Sequence, residues 1–123
     1  MLRRMSRVEY NKIMDIRYDV EGLVLERYNV FVTTTKVASS EILASFDFDA
    51  VIVDEAAQAT ELETLMAFGD TTNAILVGDT MQNSPYNDCE VIGPESMFAR
   101  LLEADYYNKF YLTEQFRLHP YLA

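Results

Sequence analysis

The stretch Ala50-Val51-Ile52-Val53-Asp54-Glu55 decides the fold, because a short apolar run ends abruptly in two carboxylates. The pattern returns further on, where Ala74-Ile75-Leu76-Val77 is followed directly by Gly78-Asp79. Short, nearly continuous apolar runs of this kind are typical of strands buried on both faces of a sheet. Between them, Thr60-Glu61-Leu62-Glu63 begins a predicted helix with a capping residue and acidic side chains in its first turn. A strand, a helix and a second strand in this order predict a parallel pair.

Segments on either side continue the alternation of strands and helices. Residues 29–35 are rich in β-branched side chains and predict a strand, and residues 110–112 form another short apolar run. Apolar side chains three and four positions apart predict a helix over residues 6–27. The other predicted elements are a short helix from Ser39 or Ser40 through Leu43, an irregular stretch over residues 83–94, and a helix from about Pro94 to Ala104. The sequence therefore predicts an α/β fold with a parallel sheet of about four strands flanked by helices.

Length and composition limit the classes of protein that need considering. The 123 residues suffice for one hydrophobic core and, at a net charge of −10, predict a single acidic domain. The sequence has no apolar run long enough for a bilayer and no secretory signal pattern at its start, so we expect an intracellular protein without a membrane partner. Cys89 is the only cysteine, which excludes an internal disulfide and a metal site built from cysteines alone.

Charge is unevenly distributed along the chain. Residues 1–17 carry five basic and two acidic side chains, whereas residues 18–123 carry five basic and eighteen acidic ones. Binding to a phosphate backbone depends on basic side chains, so the composition argues against a self-sufficient nucleic-acid binder. The basic start is either the solvated face of a helix or a weak phosphate-contacting patch.

Polar side chains follow three of the predicted strands, and their chemistry suits phosphate. Ligands of open α/β sheets bind beyond the carboxyl ends of the strands, where these sets should converge. Asp54, directly after a buried strand, is suited to hold Mg²⁺ through water. Glu55 should project to the other side of the strand end, where it can orient and deprotonate an attacking water. Gln82 can hydrogen-bond that water or a terminal phosphate, and Arg117 can stabilise charge on a transferred phosphoryl group. An Asp-Glu pair alone usually marks a solvated turn, so the interpretation as a phosphate site depends on the placement of these residues at strand ends.

Three ordered segments resemble motifs of a known family. Residues 51–61, Val-Ile-Val-Asp-Glu-Ala-Ala-Gln-Ala-Thr-Glu, resemble the Walker B segment of superfamily 1 helicases of the nonsense-mediated-decay and senataxin type. Residues 75–82 are similar to the family's Val-Gly-Asp-x-x-Gln element, and residues 112–120 to its Leu-x-x-Gln-Tyr-Arg-Met-His-Pro element. Residues 31–43 resemble the strand and Thr-rich loop that precede Walker B. The resemblance implies a partial RecA-like P-loop NTPase core over residues 29–123, preceded by an amphipathic helical segment over residues 1–28.

The resemblance also implies a role for each matching residue. Asp54 would coordinate Mg²⁺, Glu55 would activate the hydrolytic water, and Gln82 and Arg117 would sense or stabilise the γ-phosphate of ATP. Further matching positions would bind nucleotide or link its state to the nucleic-acid site; they are Gln58, Gly78, Asp79 and Gln115. The loop Thr33-Thr34-Thr35 would contact RNA or DNA, and the alternative is that its hydroxyls terminate a strand. His119 matches a position beside a turn proline and is interpreted as structural.

Departures from the family pattern limit what the chain can do alone. The sequence contains no Gly-x-x-x-x-Gly-Lys-Ser/Thr motif, so the loop that would cradle the β- and γ-phosphates is missing from these residues. The strand that carries this loop in the family should leave a vacancy between residues 74–77 and 109–113; the alternative is that these two segments pair directly. A complete sheet in a monomer, with its central strand donated by residues 1–28, would contradict this hypothesis.

The sequence therefore favours a fragment of an ATP-dependent helicase that couples Mg-ATP hydrolysis to translocation on RNA or DNA in the full-length family. We expect little turnover from the isolated chain. One alternative is a degenerate, non-catalytic interaction module that binds other helicase regions or protein partners through an exposed sheet edge. Another is an unrelated doubly wound phosphohydrolase that would use Asp54 and Glu55 with Mg²⁺ but without nucleic acid.

Overall fold

The computed structural model describes residues 6–86, 96–104, 108–119 and 121. Five helices, one 3₁₀ turn and two strands form within these residues. In chain order they are α1 (Arg7–Leu25), α2 (Thr35–Ala38), α3 (Glu41–Ala44), β1 (Val51–Val53), the 3₁₀ turn (Ala56–Gln58), α4 (Glu61–Phe68), β2 (Ala74–Leu76) and α5 (Met97–Glu103). The α/β class predicted from the sequence is confirmed.

The two strands form a parallel pair, as their order with α4 predicts. Val51 lies opposite Ala74, and Val53 lies opposite Leu76. The ladder continues past both strands, because the Val77 N–H donates to the Val53 carbonyl at 2.8 Å. At the opposite end, the Asn73 side-chain amide donates to the Asp49 carbonyl at 2.9 Å. Hydrogen bonds thus fix the register of the pair from end to end.

Two predicted strands do not form in the described part of the chain. Residues 29–34 are irregular, α2 begins at Thr35, and residues 108–115 are irregular as well. The sheet therefore has two strands among the described residues instead of about four. Strand propensity reflects packing on a pleated surface, and Val32 and Leu112 are more than 90% exposed, with no neighbouring strand to cover them. Phe31 packs instead against Phe46 and Phe48, with ring centroids 5.6 and 5.3 Å apart.

The predicted helices form close to their expected bounds. Ser6 and Glu9 make a capping box at the start of α1, and Thr60 and Glu63 make another at the start of α4. Ser40 occupies the N-cap of α3, as one of the two predicted positions. The helix predicted from Pro94 forms as α5 from Met97, with Ser96 accepting the Ala99 N–H; residues 94 and 95 lie outside the described residues. Residues 83–86 are irregular as predicted, and the rest of that stretch also lies outside the described residues.

The core lies where β1, the 3₁₀ turn, α4 and α5 meet. Its buried members are Val53, Ala56, Ala57, Thr64, Pro85 and Ser96, and Leu43 of α3 is buried as well. The buried Thr64 hydroxyl donates to the Thr60 carbonyl one turn earlier, which satisfies it without a tertiary partner. Arg100 of α5 makes a two-pronged ion pair with Glu61 of α4, with N–O distances of 2.9 and 2.7 Å. None of the helices in the described ranges is both long and apolar enough to cross a bilayer.

Candidate functional site

The carboxyl ends of β1 and β2 lie side by side and bring two of the three predicted polar sets together. After the Val77 N–H binds the Val53 carbonyl, the Ala56 N–H donates to the Val77 carbonyl at 2.8 Å. These two hydrogen bonds bracket Asp54 and Glu55 on one segment and lead directly to Gly78 on the other. We call Asp54–Gln58 together with Gly78–Gln82 the carboxyl edge. Its position agrees with the place where open α/β sheets bind ligands.

A tight turn at Asp54 and Glu55 sets the direction of both carboxylates. The Glu55 N–H donates to Asp54 Oδ1 at 3.0 Å. Glu55 has φ 54°, in the left-handed region that residues with a β-carbon rarely adopt. Its position therefore does not follow from the alternation of an extended strand, which was the basis of the prediction, and that reasoning was wrong. Such backbone strain costs about 1–3 kcal/mol and is found preferentially at functional sites.

Gln58 holds the Glu55 side chain in place. Its side-chain amide donates to Glu55 Oε2 at 2.9 Å, and its backbone N–H donates to the Glu55 carbonyl at 2.9 Å. Both bonds lie within the 3₁₀ turn that Ala56 and Ala57 anchor in the core. The Glu55 carboxylate is thus fixed by Gln58, three residues away, and the strained backbone of Glu55 is followed by a buried turn.

Gly78 permits the close approach of the two segments of the carboxyl edge. A β-carbon at this position would lie 2.9 Å from the backbone nitrogen of Ala57 and 3.3 Å from the Phe98 ring. The first distance is shorter than real β-carbon contacts, and the atom it meets is backbone. The structure therefore gives a steric reason for glycine here, whereas its predicted nucleotide contact stays a prediction.

Asp79 and Gln82 form a second polar turn on the same edge. Asp79 Oδ1 accepts the Met81 N–H at 2.9 Å, and Oδ2 accepts the Gln82 side-chain amide at 3.0 Å. These donors, the Met81 N–H first and the Gln82 amide second, hold the pKa of the Asp79 carboxyl below its ordinary value. Asp79 is therefore a fixed anion that orients Gln82, the residue predicted to contact the terminal phosphate.

Gln115 and Arg117 make only local hydrogen bonds among the described residues. Gln115 Oε1 accepts the N–H groups of Arg117 and Leu118 at 3.1 and 2.7 Å, and its amide donates to the Leu118 carbonyl at 3.1 Å. Residues 110–119 are exposed throughout. No described contact brings this third polar set to the carboxyl edge. Next to it, His119 stacks on Tyr121 with centroids 5.4 Å apart, in keeping with its structural interpretation.

The three threonines lie at the start of α2 rather than at the end of a strand. Thr34 is the N-cap residue, and its hydroxyl accepts the Val37 N–H at 3.4 Å. Thr35 is the first helical residue, and Thr33 precedes the cap. The local task of Thr34 is therefore helix capping, and contact of residues 33–35 with nucleic acid stays a prediction.

The carboxyl edge fits Mg²⁺ bound mainly through water. Within the described ranges, no three His, Cys, Asp or Glu side chains cluster closely enough to enclose a metal ion. Mg²⁺ does not need such a cluster, because it retains several waters and takes one or two carboxylates together with substrate phosphates. Asp54 is exposed and gives only Oδ1 to a backbone donor, which leaves Oδ2 for a metal-bound water.

The ion pair between Glu61 and Arg100 was not foreseen from the sequence. It fixes α5 against α4 and so holds Phe98 next to Gly78, directly behind the carboxyl edge. The two residues are 39 positions apart, and no local pattern signals their pairing. The first-turn position of Glu61 was explained by the helix dipole, which is a purely local effect.

Comparison with known proteins identifies the family. A family model described as an AAA domain matches residues 2–86. The regulator of nonsense transcripts 1 of Dictyostelium discoideum is 29% identical over 97% of this chain, and the helicase sen1 of Schizosaccharomyces pombe is 31% identical over 89%. The chain belongs to the superfamily 1 helicases of the nonsense-mediated-decay and senataxin type. The family named by the sequence motifs is thereby confirmed.

The helicase relatives are far longer than this chain. The chain spans 9% of the Dictyostelium protein and 7% of sen1. An uncharacterized ATP-dependent helicase of Methanocaldococcus jannaschii is 32% identical over 61% of the chain, which covers 11% of that protein. The likeness to superfamily 1 helicases therefore concerns a small part of each relative.

Proposed function

We propose that this chain supplies the hydrolytic part of a helicase ATP site, in which Mg-ATP hydrolysis drives movement along RNA or DNA. The observation that supports it is the hydrogen-bonded pairing of β1 with β2, which places Asp54 and Glu55 beside Gly78–Gln82. The name of the archaeal relative, an ATP-dependent helicase, supports ATP as the nucleotide.

In this proposal Asp54 would hold the metal, and Glu55 would orient and deprotonate the attacking water. Asp54 would hold Mg²⁺ by accepting a hydrogen bond at Oδ2 from a water of the ion, and the ion would neutralise charge on the phosphates. Glu55 Oε2 is engaged by Gln58, so Oε1 is the oxygen that orients the attacking water and accepts its proton. Gln58 acts as a positioning residue, because it fixes the direction of the Glu55 carboxylate.

The remaining residues of the site act on the terminal phosphate. Gln82 has a second N–H besides the one it gives to Asp79, and this N–H is the donor to the γ-phosphate. Gly78 and Asp79 shape the approach of this turn. Arg117 would stabilise developing charge once residues 108–119 dock beside the carboxyl edge, and Gln115 would set the local turn from which Arg117 extends.

We expect the isolated chain to hydrolyse ATP slowly or not at all, because its sequence offers no phosphate-cradling glycine loop with lysine. In the full helicase, residues 33–35 would contact the nucleic-acid backbone. The name regulator of nonsense transcripts 1 supports RNA as the first nucleic acid to test. The site of action would be the cytoplasm or the nucleus.

The metal role of Asp54 is tested with the native polypeptide, expressed in its own cells. The assay is Mg²⁺-dependent ATP hydrolysis with and without RNA. Asp54→Asn should lower the rate by about 100-fold or more, because the carboxylate that holds the metal water is lost. Asp49→Asn is the matched control, since Asp49 is an exposed carboxylate just before the other end of β1. Equal rates for the two variants would contradict the proposal.

A second candidate function is a non-catalytic interaction module for other helicase regions or protein partners. It is favoured by the open face of the sheet, where Ile52 and Ile75 are 67% and 55% exposed. This candidate predicts that Asp54→Asn changes neither ATP hydrolysis nor partner binding, whereas Ile52→Asp abolishes partner binding.

A further inference from the structure

Among the described residues, helix α1 contacts the rest of the molecule along one side. It has no fully buried residue, and its partly buried positions are Glu21, Gly22 and Leu25, near its C-terminal end. Leu25 lines the same groove as Phe31 and Leu43, so this side of α1 faces the body of the protein. Successive residues of a helix turn by about 100°, which places positions 16, 20 and 23 on the opposite side from Leu25.

That opposite side carries an apolar stripe with the spacing of a coiled-coil seam. Ile13, Ile16, Val20 and Leu23 follow one another at steps of three, four and three residues. Each of the four is between 53% and 62% exposed. Alternating steps of three and four are the pattern by which two helices pack along a shared seam. We call these four residues the α1 stripe.

Charged residues continue the α1 stripe at both ends with opposite signs. Glu9 lies four positions before Ile13, and Arg27 lies four positions after Leu23. Arg27 lies in the turn that follows the C-cap residue Glu26, where its N–H donates to the Val24 carbonyl at 3.2 Å. Along one flank of the stripe, the basic Lys12 lies near the N-terminal end and the acidic Glu26 near the C-terminal end.

These charges distinguish the two ways of pairing identical helices. In an antiparallel pair with Ile16 opposite Val20 of the second copy, Glu9 lies opposite Arg27, and Lys12 lies near Glu26. A parallel, in-register pair places Glu9 opposite Glu9 and Arg27 opposite Arg27, which is repulsive. The antiparallel pair brings two Asp19 side chains and two Arg17 side chains near its centre. Each Arg17 is already paired with Glu21 of its own helix, so the cost falls chiefly on Asp19. Glu9 likewise already accepts the Ser6 N–H of its own helix, so the attraction across the pair rests chiefly on Lys12 and Glu26.

From this complementarity we propose that the α1 stripe is a self-association surface whose occupant is α1 of a second copy of this chain, running antiparallel. Four apolar residues per copy make a short seam, so the dimer is a weak one that forms at micromolar concentrations. The self-association is independent of the carboxyl edge, and its failure leaves the proposed ATP site untouched.

The first test is the molecular mass of the full chain in solution, measured by sedimentation equilibrium from about 1 to 200 μM. The wild-type chain should change from monomer to dimer over this range. Lys12→Glu and Glu26→Lys should each weaken the dimer about tenfold, because two symmetry-related attractions become repulsions. The double variant should restore the wild-type constant. Lys36→Glu, at an exposed position of α2, is the control that should change nothing.

The second test is the direction of the helices, read by disulfide formation in a Cys89→Ser background. Asp19→Cys places two thiols near the two-fold axis of the antiparallel pair and should cross-link rapidly on oxidation, whereas Ile16→Cys should cross-link slowly. A parallel pair reverses this order. Three results would each overturn the proposal: a monomer at all concentrations, as expected if the stripe is covered by other parts of a longer chain; no rescue by the double variant; or faster cross-linking at position 16.

Discussion

The carboxyl edge and residues 108–119 both carry helicase motifs, yet only the carboxyl edge is built into the fold. At the edge, ladder hydrogen bonds from Val53 and Val77 fix both segments, and the close packing at Gly78 locks them together. In residues 108–119, the hydrogen bonds of Gln115 stay within four residues, and Arg117 is exposed. A motif therefore specifies which functional groups are present, whereas strand pairing and close packing fix their positions.

Residues 29–34 are irregular for the same reason as residues 108–115. Both segments have the side chains of a strand, but neither has a strand beside it among the described residues. A backbone without a ladder gains nothing from the extended conformation beyond its own propensity, which spans only about 1 kcal/mol. In the proposed helicase site, Arg117 would gain its position only when a neighbouring strand fixes residues 108–115.

The largest effect on folding is expected at Gly78. Gly78→Ala should lower the free energy of unfolding by about 1–3 kcal/mol, because its β-carbon would meet the Ala57 backbone at 2.9 Å. The measurement is urea unfolding of the full chain followed by circular dichroism. This variant should separate the two segments of the carboxyl edge.

Gly22→Ala is the matched control for this substitution. Gly22 lies inside α1, and a β-carbon there would meet no atom within 4 Å. It should raise stability by about 0.5–1 kcal/mol, since alanine is the better helix former. Equal effects of the two substitutions would show that the close packing at Gly78 does not hold the edge together.

A smaller effect is expected from the ion pair behind the edge. Hydrogen bonds from Arg100 hold the pKa of Glu61 below its ordinary value of 4.5. Because the folded pKa is lower than the unfolded one, the stabilisation is present at neutral pH and is lost as the pH falls below about 4.5. Arg100→Gln should cost at most about 1 kcal/mol at pH 7, since both side chains are partly exposed.

The check is urea unfolding of wild type and Arg100→Gln at pH 7 and pH 3.5. The difference between them should shrink at the lower pH. Arg17→Gln removes a pair within one helix, with its partner Glu21 only four residues away, and serves as the control. A difference that stays constant with pH would contradict the assignment of the Glu61 pKa to Arg100.

The smallest effect is expected on the pKa of Asp79, in the turn that it forms with Gln82. Gln82→Ala removes the weaker of the two donors to its carboxylate and leaves the Met81 N–H in place. The pKa of Asp79 should therefore rise only part of the way to its ordinary value. Carboxyl carbon chemical shifts in an NMR titration measure this change, with Asn83→Ala as the control. A full return to the ordinary value would contradict the leading role of the backbone donor.

Signals carried by neighbouring residues were predictable from the sequence. The cap at Thr60 is encoded within four residues, and so is the abrupt change from Val53 to Asp54. The strands predicted at residues 29–35 and 110–112 do not form among the described residues, because strand pairing depends on a neighbour that local sequence does not contain. The left-handed turn at Glu55 and the close contact of Gly78 depend on how two distant segments meet. The sequence predicts roles for these residues, but it does not predict their geometry.

ATP hydrolysis at the carboxyl edge is tested most directly by the hydrolysis rate of the native polypeptide with Glu55→Gln. Glutamine keeps the size of the side chain and its bond to Gln58 but cannot accept the proton of the attacking water. Glu41→Gln, an exposed position in α3, is the control. The account predicts a rate at least about 100-fold lower for Glu55→Gln, with ATP binding retained, and an unchanged rate for Glu41→Gln. Wild-type hydrolysis by Glu55→Gln would contradict it.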